Sequence, residues 1–315
     1  MNERQLRYFA TIYEEGAMAR AARRARVAVS ALSHHLNNLE AELETSLFVR
    51  TRKGMQPTAA GRSLYDRATE ILKLLSSAAD DVRSAAGQVA GDVSVGMAHS
   101  AVKVVAIDLL KRIAAGYPNV RLSLTESLPN STLVSALSSE IDLAIVYNPP
   151  SNPRLKTEAI LEEQMMCIGQ PQIIGDEEEA IAFDEVLELP LIAPRAGPWA
   201  RILLDDESLL KRVETAAKFQ LNSVRTTIDA VCAGLGATIN TRHYFAEQIG
   251  HGTVCARPIT DPEITRKLHL CELADQPPSF AIEAVRGLVT DLIDSAIQEG
   301  RWEAVGLQRL GVEGR

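Results

Sequence analysis

Four leucines set the frame of the N-terminal region. Leu32, Leu36, Leu39 and Leu43 recur at steps of four, three and four, which places them on one face of an α-helix. Just upstream, Ala21, Ala22, Ala25 and Val27 are small or apolar enough for a second short helix to pack tightly against that face. Two short helices crossing over a tight turn are the layout that lowers the second helix into a DNA major groove. Arg50, Arg52 and Lys53 then cluster around Thr51, ahead of Gly54. A basic hairpin there would reach phosphate beside the groove. The expectation is a winged helix-turn-helix over residues 1–58, with helices over 3–15, 18–25 and 30–44. Ser30, Ser33, His34 and Asn37 are the expected readers of base or phosphate.

The charge of the whole chain, −8, argues against a nucleic-acid binder until its distribution is read. Residues 1–62 hold ten Lys or Arg against six Asp or Glu, a net of +4, so the remainder carries −12. Polyanion binding needs a local positive surface rather than a positive whole. The N-terminus lacks a signal-peptide apolar core, and no run of about 18 apolar residues offers a membrane span. A cytoplasmic protein without a membrane partner is expected. Cys167, Cys232, Cys255 and Cys271 form no CxxC pair and sit near no histidine cluster, so reduced buried thiols are expected, with no metal and no cofactor.

Residues 59–88 read as one long helix, with Thr58 as its N-cap. Its apolar positions Leu64, Ala68, Ile71, Leu75, Ala78, Val82 and Ala85 are spaced four, three, four, three, four, three. A strict heptad seam flanked by polar residues points to a coiled-coil partner, hence a dimer, over an amphipathic helix packed on its own chain. Beyond Asp92, strand-like runs (DVSVGMA, VRLSLTE, IDLAIVY, then QMMCIG, LPLIAP, AKFQLN, GATIN) alternate with helical ones. Such alternation implies parallel sheets covered by helices. An α/β domain over 92–300 is expected, with one lobe from 92–162 and 268–300 and a second from 163–267.

The block FATIYEEGAMARAARRARVAVSALSHHLNNLEAELETSLFVRTRKGMQPTAAGR resembles the N-terminus of the LysR-type transcriptional regulators. The resemblance is carried by Leu6, Phe9, Ala21–Ala22, Ala31–Leu32–Ser33, Leu39–Glu40, Leu47–Phe48, Arg50, Thr58 and Gly61. The wording VRTRKGMQPTAAG looks closest to the nitrogen-assimilation-control branch of that family. The resemblance implies a two-lobed, periplasmic-binding-protein-like (type 2) effector domain with two crossover strands, and a homodimer or a homotetramer built by a second contact between effector domains. It implies double-stranded DNA, a small-molecule effector, the chain itself and RNA polymerase as partners. This sequence departs from the family at Ala28-Val29-Ser30, where relatives usually carry Ser-Gln-Pro, and at the exposed pair His34-His35, often Arg-Gln. Ala19 replaces the usual hydroxyl cap of the second helix.

In open α/β sheets, ligands sit beyond the carboxyl ends of strands. That rule selects Ser100 and Ala101, Ser127, Asn148, Arg195, Trp199 and Ser223. Ser100 and Ser223 each sit where a helix begins, and helix N-termini favour anions such as carboxylates. Each also fits an ordinary N-cap. Arg195 would pair with an acidic effector or simply be solvated, and Trp199 would line the cleft or anchor its helix. No HExxH, GxSxG or dinucleotide fingerprint occurs, and the adjacent His99 and Ser100 would not point at each other. The leading reading is a DNA-binding regulator gated by a small, anionic metabolite, and not an enzyme. The alternatives are a regulator without ligand, controlled by abundance, and an enzyme of the two-lobed fold with a dimerising appendage.

Overall fold

The computed structural model describes residues 1–307 apart from 53, 86–87, 128, 176–178, 196–203 and 205. The chain divides into two compact units, the first spanning Met1–Gly91 with Ser138–Glu140 and the second holding the rest.

In the first unit, Asn2 and Gln5 cap α1 (Glu3–Glu15) reciprocally, and Gly16 closes it in the left-handed region at φ 60°. Helices α2 (Met18–Ala25) and α3 (Val29–Glu42) follow. Leu6, Phe9 and Ile12 of α1 meet Ala21 and Ala22 of α2 and Leu32, Leu36 and Leu39 of α3 in one buried core. Strands β1 (Phe48–Thr51) and β2 (Gly54–Pro57) pair antiparallel as the wing. Glu40 fixes the wing's base, its carboxylate accepting from the Leu47 and Phe48 amides at 2.6 and 3.2 Å. Helix α4 (Ala59–Ser84) begins at Thr58, whose hydroxyl accepts from the Gly61 amide. A Cβ on Gly61 would lie 2.1 Å from the Leu47 carbonyl oxygen, which explains a glycine there.

Three expectations are corrected in this unit. Helix α3 stops at Glu42 rather than Glu44, because Leu43 caps it and Glu44 turns to φ 52°. Leu43 therefore leaves the buried face and is exposed. The cap position of α2 is Ala17, not Ala19, which lies inside the helix; Ala17 and Ala28 both begin helices with no side-chain cap. The heptad seam divides: Ala68 is buried and Leu64 packs with it on the winged-helix core, because the first turns of α4 lie against α1. Ile71, Leu75, Ala78 and Val82 remain exposed.

The second unit has two lobes. The first runs through β3 (Ala90–Met97), α5 (His99–Gly116), β4 (Asn119–Glu126), α6 (Pro129–Leu137), β5 (Leu143–Tyr147) and β6 (Leu155–Gln164). The second runs through β7 (Met166–Gly169), α7 (Pro171–Ile174), β8 (Ile181–Ala182), α8 (Phe183–Glu188), β9 (Leu191–Ala193), α9 (Glu207–Ala216) and β10 (Ala217–Gln220). It continues through α10 (Val224–Cys232), β11 (Thr238–Asn240), α11 (Ala246–Gly250) and β12 (Cys255–Thr260). The chain returns through β13 (Thr265–Leu273), α12 (Phe280–Gln298) and β14 (Val305–Gly306).

The first lobe's sheet has the order β14-β6-β13-β5-β3-β4, and the second lobe's has β11-β7-β12-β8 with β9 and β10 as a separate parallel pair. The sheets are mixed rather than parallel. Strands β3 and β5 are parallel, but β13 runs antiparallel to both β5 and β6. The reason is that β6 and β13 are the crossovers between lobes, one leaving and one returning. Both extend past the expected limits of 162 and 268, reaching Gln164 and starting at Thr265.

Candidate functional site

The nucleic-acid face of the first unit is built on α3 and the wing. Ser30, His34 and Asn37 are exposed along α3, and Ser33 is half-buried. His34 shares a hydrogen bond with the Asn38 amide at 3.1 Å, which adds Asn38 to the exposed polar row. His35 is not part of that row: it packs on the Tyr8 ring, with centroids 5.0 Å apart. Arg50 and Arg52 are exposed on the wing, Arg50 opposite Met55 in the strand register. Lys53 lies outside the described residues. The row offers amides, an imidazole, a hydroxyl and the half-exposed Val29 but no Arg or Lys. Amides suit adenine edges and apolar groups suit thymine methyls, while the two arginines supply the phosphate contacts that position the helix.

In the second unit, a cavity of about 360 Å³ opens between the lobes. Ala98, His99, Ser100, Glu126, Ser127 and Tyr147 line it from the first lobe, and Asn222, Ser223, Val224, Arg225 and Tyr244 from the second, with Arg266 from the crossover strand. Two helices start at its wall. Ser223 caps α10, accepting from the Thr226 amide, whereas α5 starts at Ala98 without a side-chain cap. The Ser127 hydroxyl hydrogen-bonds Thr132.

Several of the expected site residues play other roles in the structure. Ser100 lines the cavity but caps nothing: its hydroxyl pairs with the Tyr147 hydroxyl at 2.7 Å, inside the first turn of α5. Ala101 is fully buried and does not reach the cavity. Asn148 is structural. Its side chain accepts from the Lys267 amide at 3.0 Å and its own amide donates to the Lys267 carbonyl, fastening β5 to β13. Arg195 projects to solvent, and its main-chain amide donates to the Asn222 side chain. Trp199 lies outside the described residues.

The residues that sequence reasoning missed are the most strongly built. Arg266 is 3% exposed and pairs with Glu163, 1% exposed, directly across β13 and β6. Its guanidinium lies 3.7 Å from the Tyr147 ring centre. Burial works against the Arg266 charge, but Glu163 and the tyrosines outweigh it and raise its pKa above the ordinary value. Burial also raises the Tyr147 and Tyr244 hydroxyls, so both stay protonated as donors. At the mouth, His99 Nδ1 meets Glu126 at 2.7 Å, and its ring stands edge-on to Tyr244.

No cluster of metal-ligating side chains occurs among the described residues. No helix among them is long and apolar enough to cross a membrane. Cys167 is buried, and burial pushes its thiol up to about 12; the Cys255 thiol donates to the Gly169 and Gly175 carbonyls. A thiol raised in this way, as at Cys167, lacks the character of a reactive thiolate.

Known proteins share this arrangement. Residues 3–62 match the bacterial regulatory helix-turn-helix protein of the lysR family, and residues 86–293 match the LysR substrate binding domain. The chain is 26% identical to the nitrogen assimilation regulatory protein nac of Escherichia coli (strain K12) over 307 residues, covering 97% of this chain and 100% of that one. It is likewise 26% identical to the transcriptional regulator BbuR of Bordetella bronchiseptica, over 94% of this chain and 91% of that one. Among solved structures, a full-length OxyR variant from Pseudomonas aeruginosa superposes with a TM-score of 0.69 at 21% identity, over 93% of this chain and 94% of that one. Full-length CbnR in complex with its target DNA gives 0.63 at 21%, over 94% and 100%. The two matched segments cover nearly all of the chain from residue 3 to residue 293, and the chain belongs to the LysR family of DNA-binding transcriptional regulators.

Proposed function

We propose that this regulator holds a small anionic metabolite in the cavity between its lobes and that the occupied cavity changes how its DNA-binding units are presented. The supporting observation is the convergence of two helix N-termini, those of α5 and α10, from opposite lobes on one cavity. Main-chain N–H groups and the helix dipole favour a carboxylate or similar anion there. The nearby arginines are already paired, Arg266 with Glu163 and Arg225 with Asp229, and His99 hydrogen-bonds Glu126. Direct hydrogen bonds therefore fall first to amides and to the hydroxyls of Ser100, Ser127, Tyr147 and Ser223, with the paired Arg266 guanidinium adding its field at the wall. A ligand shifts the lobes only through unequal affinity for two arrangements. The transcriptional output then passes to RNA polymerase.

Thermal-shift measurements with carboxylates and sulfonates are the direct test. At a hundredfold excess over Kd, a true ligand contributes about 2.7 kcal/mol, a readily measured rise in melting temperature. Ser100→Ala is expected to diminish that rise. If no compound raises the melting temperature of the wild type, or if Ser100→Ala responds identically, this assignment fails and control by abundance gains.

For the DNA side, α3 is proposed to read bases through Ser30, Ser33, His34 and Asn37, with Arg50 and Arg52 on phosphate. Replacing both arginines by Ala is expected to weaken binding to all duplexes and to flatten the salt slope by about two, roughly one for each phosphate no longer neutralised. An unchanged slope would remove the wing from the interface.

A further inference from the structure

The last described residues form a strap that neither half of the DNA-and-effector reading uses. Gly300 (φ 69°) turns the chain back after α12, and Arg301 donates to the Val104 carbonyl of α5. Val305 and Gly306 pair with Glu162 and Leu161 of crossover strand β6. Between these anchors Trp302 is buried, 1% exposed. Its ring stacks on His243 of the second lobe, and its indole Nε1 donates to Glu163 at 2.8 Å. The strap begins beyond residue 293, where the family match ends.

The two oxygens of the Glu163 carboxylate thus face different donors, with the Tyr147 hydroxyl close by. One oxygen accepts from Trp302, and the other accepts from Arg266 at 2.6 Å. The Trp302 bond restricts rotation of the carboxylate about its Cγ–Cδ bond, and so narrows the positions open to the oxygen that accepts from the guanidinium. Thr241 and the Tyr147 ring complete the seat of Arg266. Because Arg266 lines the cavity, the strap reaches the ligand site through a chain of two hydrogen bonds. We infer that Trp302 is a positioning residue: through Glu163 it sets the Arg266 guanidinium at the wall of the cavity, and so tunes the response to the effector. The consequence for the effector rests on the reading of the cavity as its site.

Labelling of the full-length chain by phenylglyoxal, which reacts with accessible guanidinium groups, tests the positioning without any ligand. Trp302→Phe keeps an aromatic ring against His243 and removes the N–H, together with some buried ring volume for which a separate control is needed. Adducts at Arg266 are expected to form about tenfold faster in Trp302→Phe than in the wild type, as removal of a charge-assisted bond raises the loosened population. Arg225, well exposed at the same cavity, serves as the internal reference and should not change. A chain ended after Gly300 should label Arg266 at least as fast. Val285→Ala, a truncation in the buried face of α12, controls for loss of stability alone and should leave Arg266 protected. Protection of Arg266 in Trp302→Phe, or equal labelling in Val285→Ala, overturns the positioning role.

Benzoate and succinate titrations then address the effector. Weaker binding by Trp302→Phe than by wild type supports the tuning role, and equal binding with Arg266 freely labelled overturns it. Binding of neither probe to wild type counts against the effector reading of the cavity and leaves the labelling to decide the role of Trp302.

Discussion

Arg266→Ala is expected to destabilise the two-lobed unit by about 3–5 kcal/mol, because it strands a buried carboxylate. Glu163 is 1% exposed, and the partners left to it, the Trp302 indole N–H and the Tyr147 hydroxyl, carry no charge to match its own. A buried charge without its counter-ion costs far more than the pair contributes when intact. For a domain of this size, 1 kcal/mol moves the melting temperature by roughly 2–4 °C, so calorimetry should show a drop of about 6–20 °C in the transition of this unit. Glu163→Met combined with Arg266→Met removes both charges and should recover a large part of the stability. That recovery distinguishes an ion pair from a mere packing defect. Equal destabilisation by the single and double variants would mean that the side-chain volumes matter, and the pairing does not.

The same pair shows why part of the site was hidden in the sequence. The strand-end rule selects Ser100, Ser127 and Ser223, and the structure brings all three to the cavity. It fails for Arg266 and Tyr147 because these are not loop residues: one lies inside β13 and the other ends β5. Arg266 sits in the run TRKLHLCEL, where a cation reads as a solvated side chain. Its burial depends on Glu163, 103 residues away in the chain. Strand β6 escapes for a related reason. LKTEAILEEQ alternates apolar residues with three buried or half-buried glutamates, a pattern that reads as polar loop until its partners on β13 are known. Tyr244 comes from a 3-10 turn, Arg242–Phe245, which carries no periodic signal.

The winged helix-turn-helix was legible because its information is local. Leu32, Leu36 and Leu39, the small Ala21 and Ala22, and the Glu40 that accepts from Leu47 and Phe48 all lie within one short stretch. The exception is the end of α3, where Glu44 takes a left-handed turn that a non-glycine residue does not announce. The heptad in α4 is a true period whose positions are used in two ways. Its first two positions serve the core of their own chain, a distinction that spacing alone does not carry.

What the remaining positions of that seam do is the basis of the second large effect. Ile71, Leu74, Leu75 and Val82 are 37%, 41%, 46% and 75% exposed on a 26-residue helix. Apolar side chains at heptad spacing and open to solvent mark a surface that a partner helix would cover. Leu75 lies at the middle of this strip, with Ile71 before it and Ala78 and Val82 beyond. In a two-stranded coil of identical chains, Leu75→Asp enters the seam twice, once from each helix, and the two carboxylates would also repel. An unpaired buried charge costs several kcal/mol. Since each 1.4 kcal/mol is tenfold in a dissociation constant, the dimer is expected to weaken by roughly a thousandfold or more. Sedimentation of the variant in dilute solution should therefore show monomers where the wild type is assembled. Binding to DNA carrying two half-sites should fall with it, since the second half-site is no longer engaged at a raised effective concentration. Ser76→Asp adds the same charge on the polar flank, where it meets water in either state, and should leave the mass unchanged. If Leu75→Asp retains the wild-type mass, the exposed strip is not the dimer seam, and whatever assembles this regulator lies elsewhere in the chain.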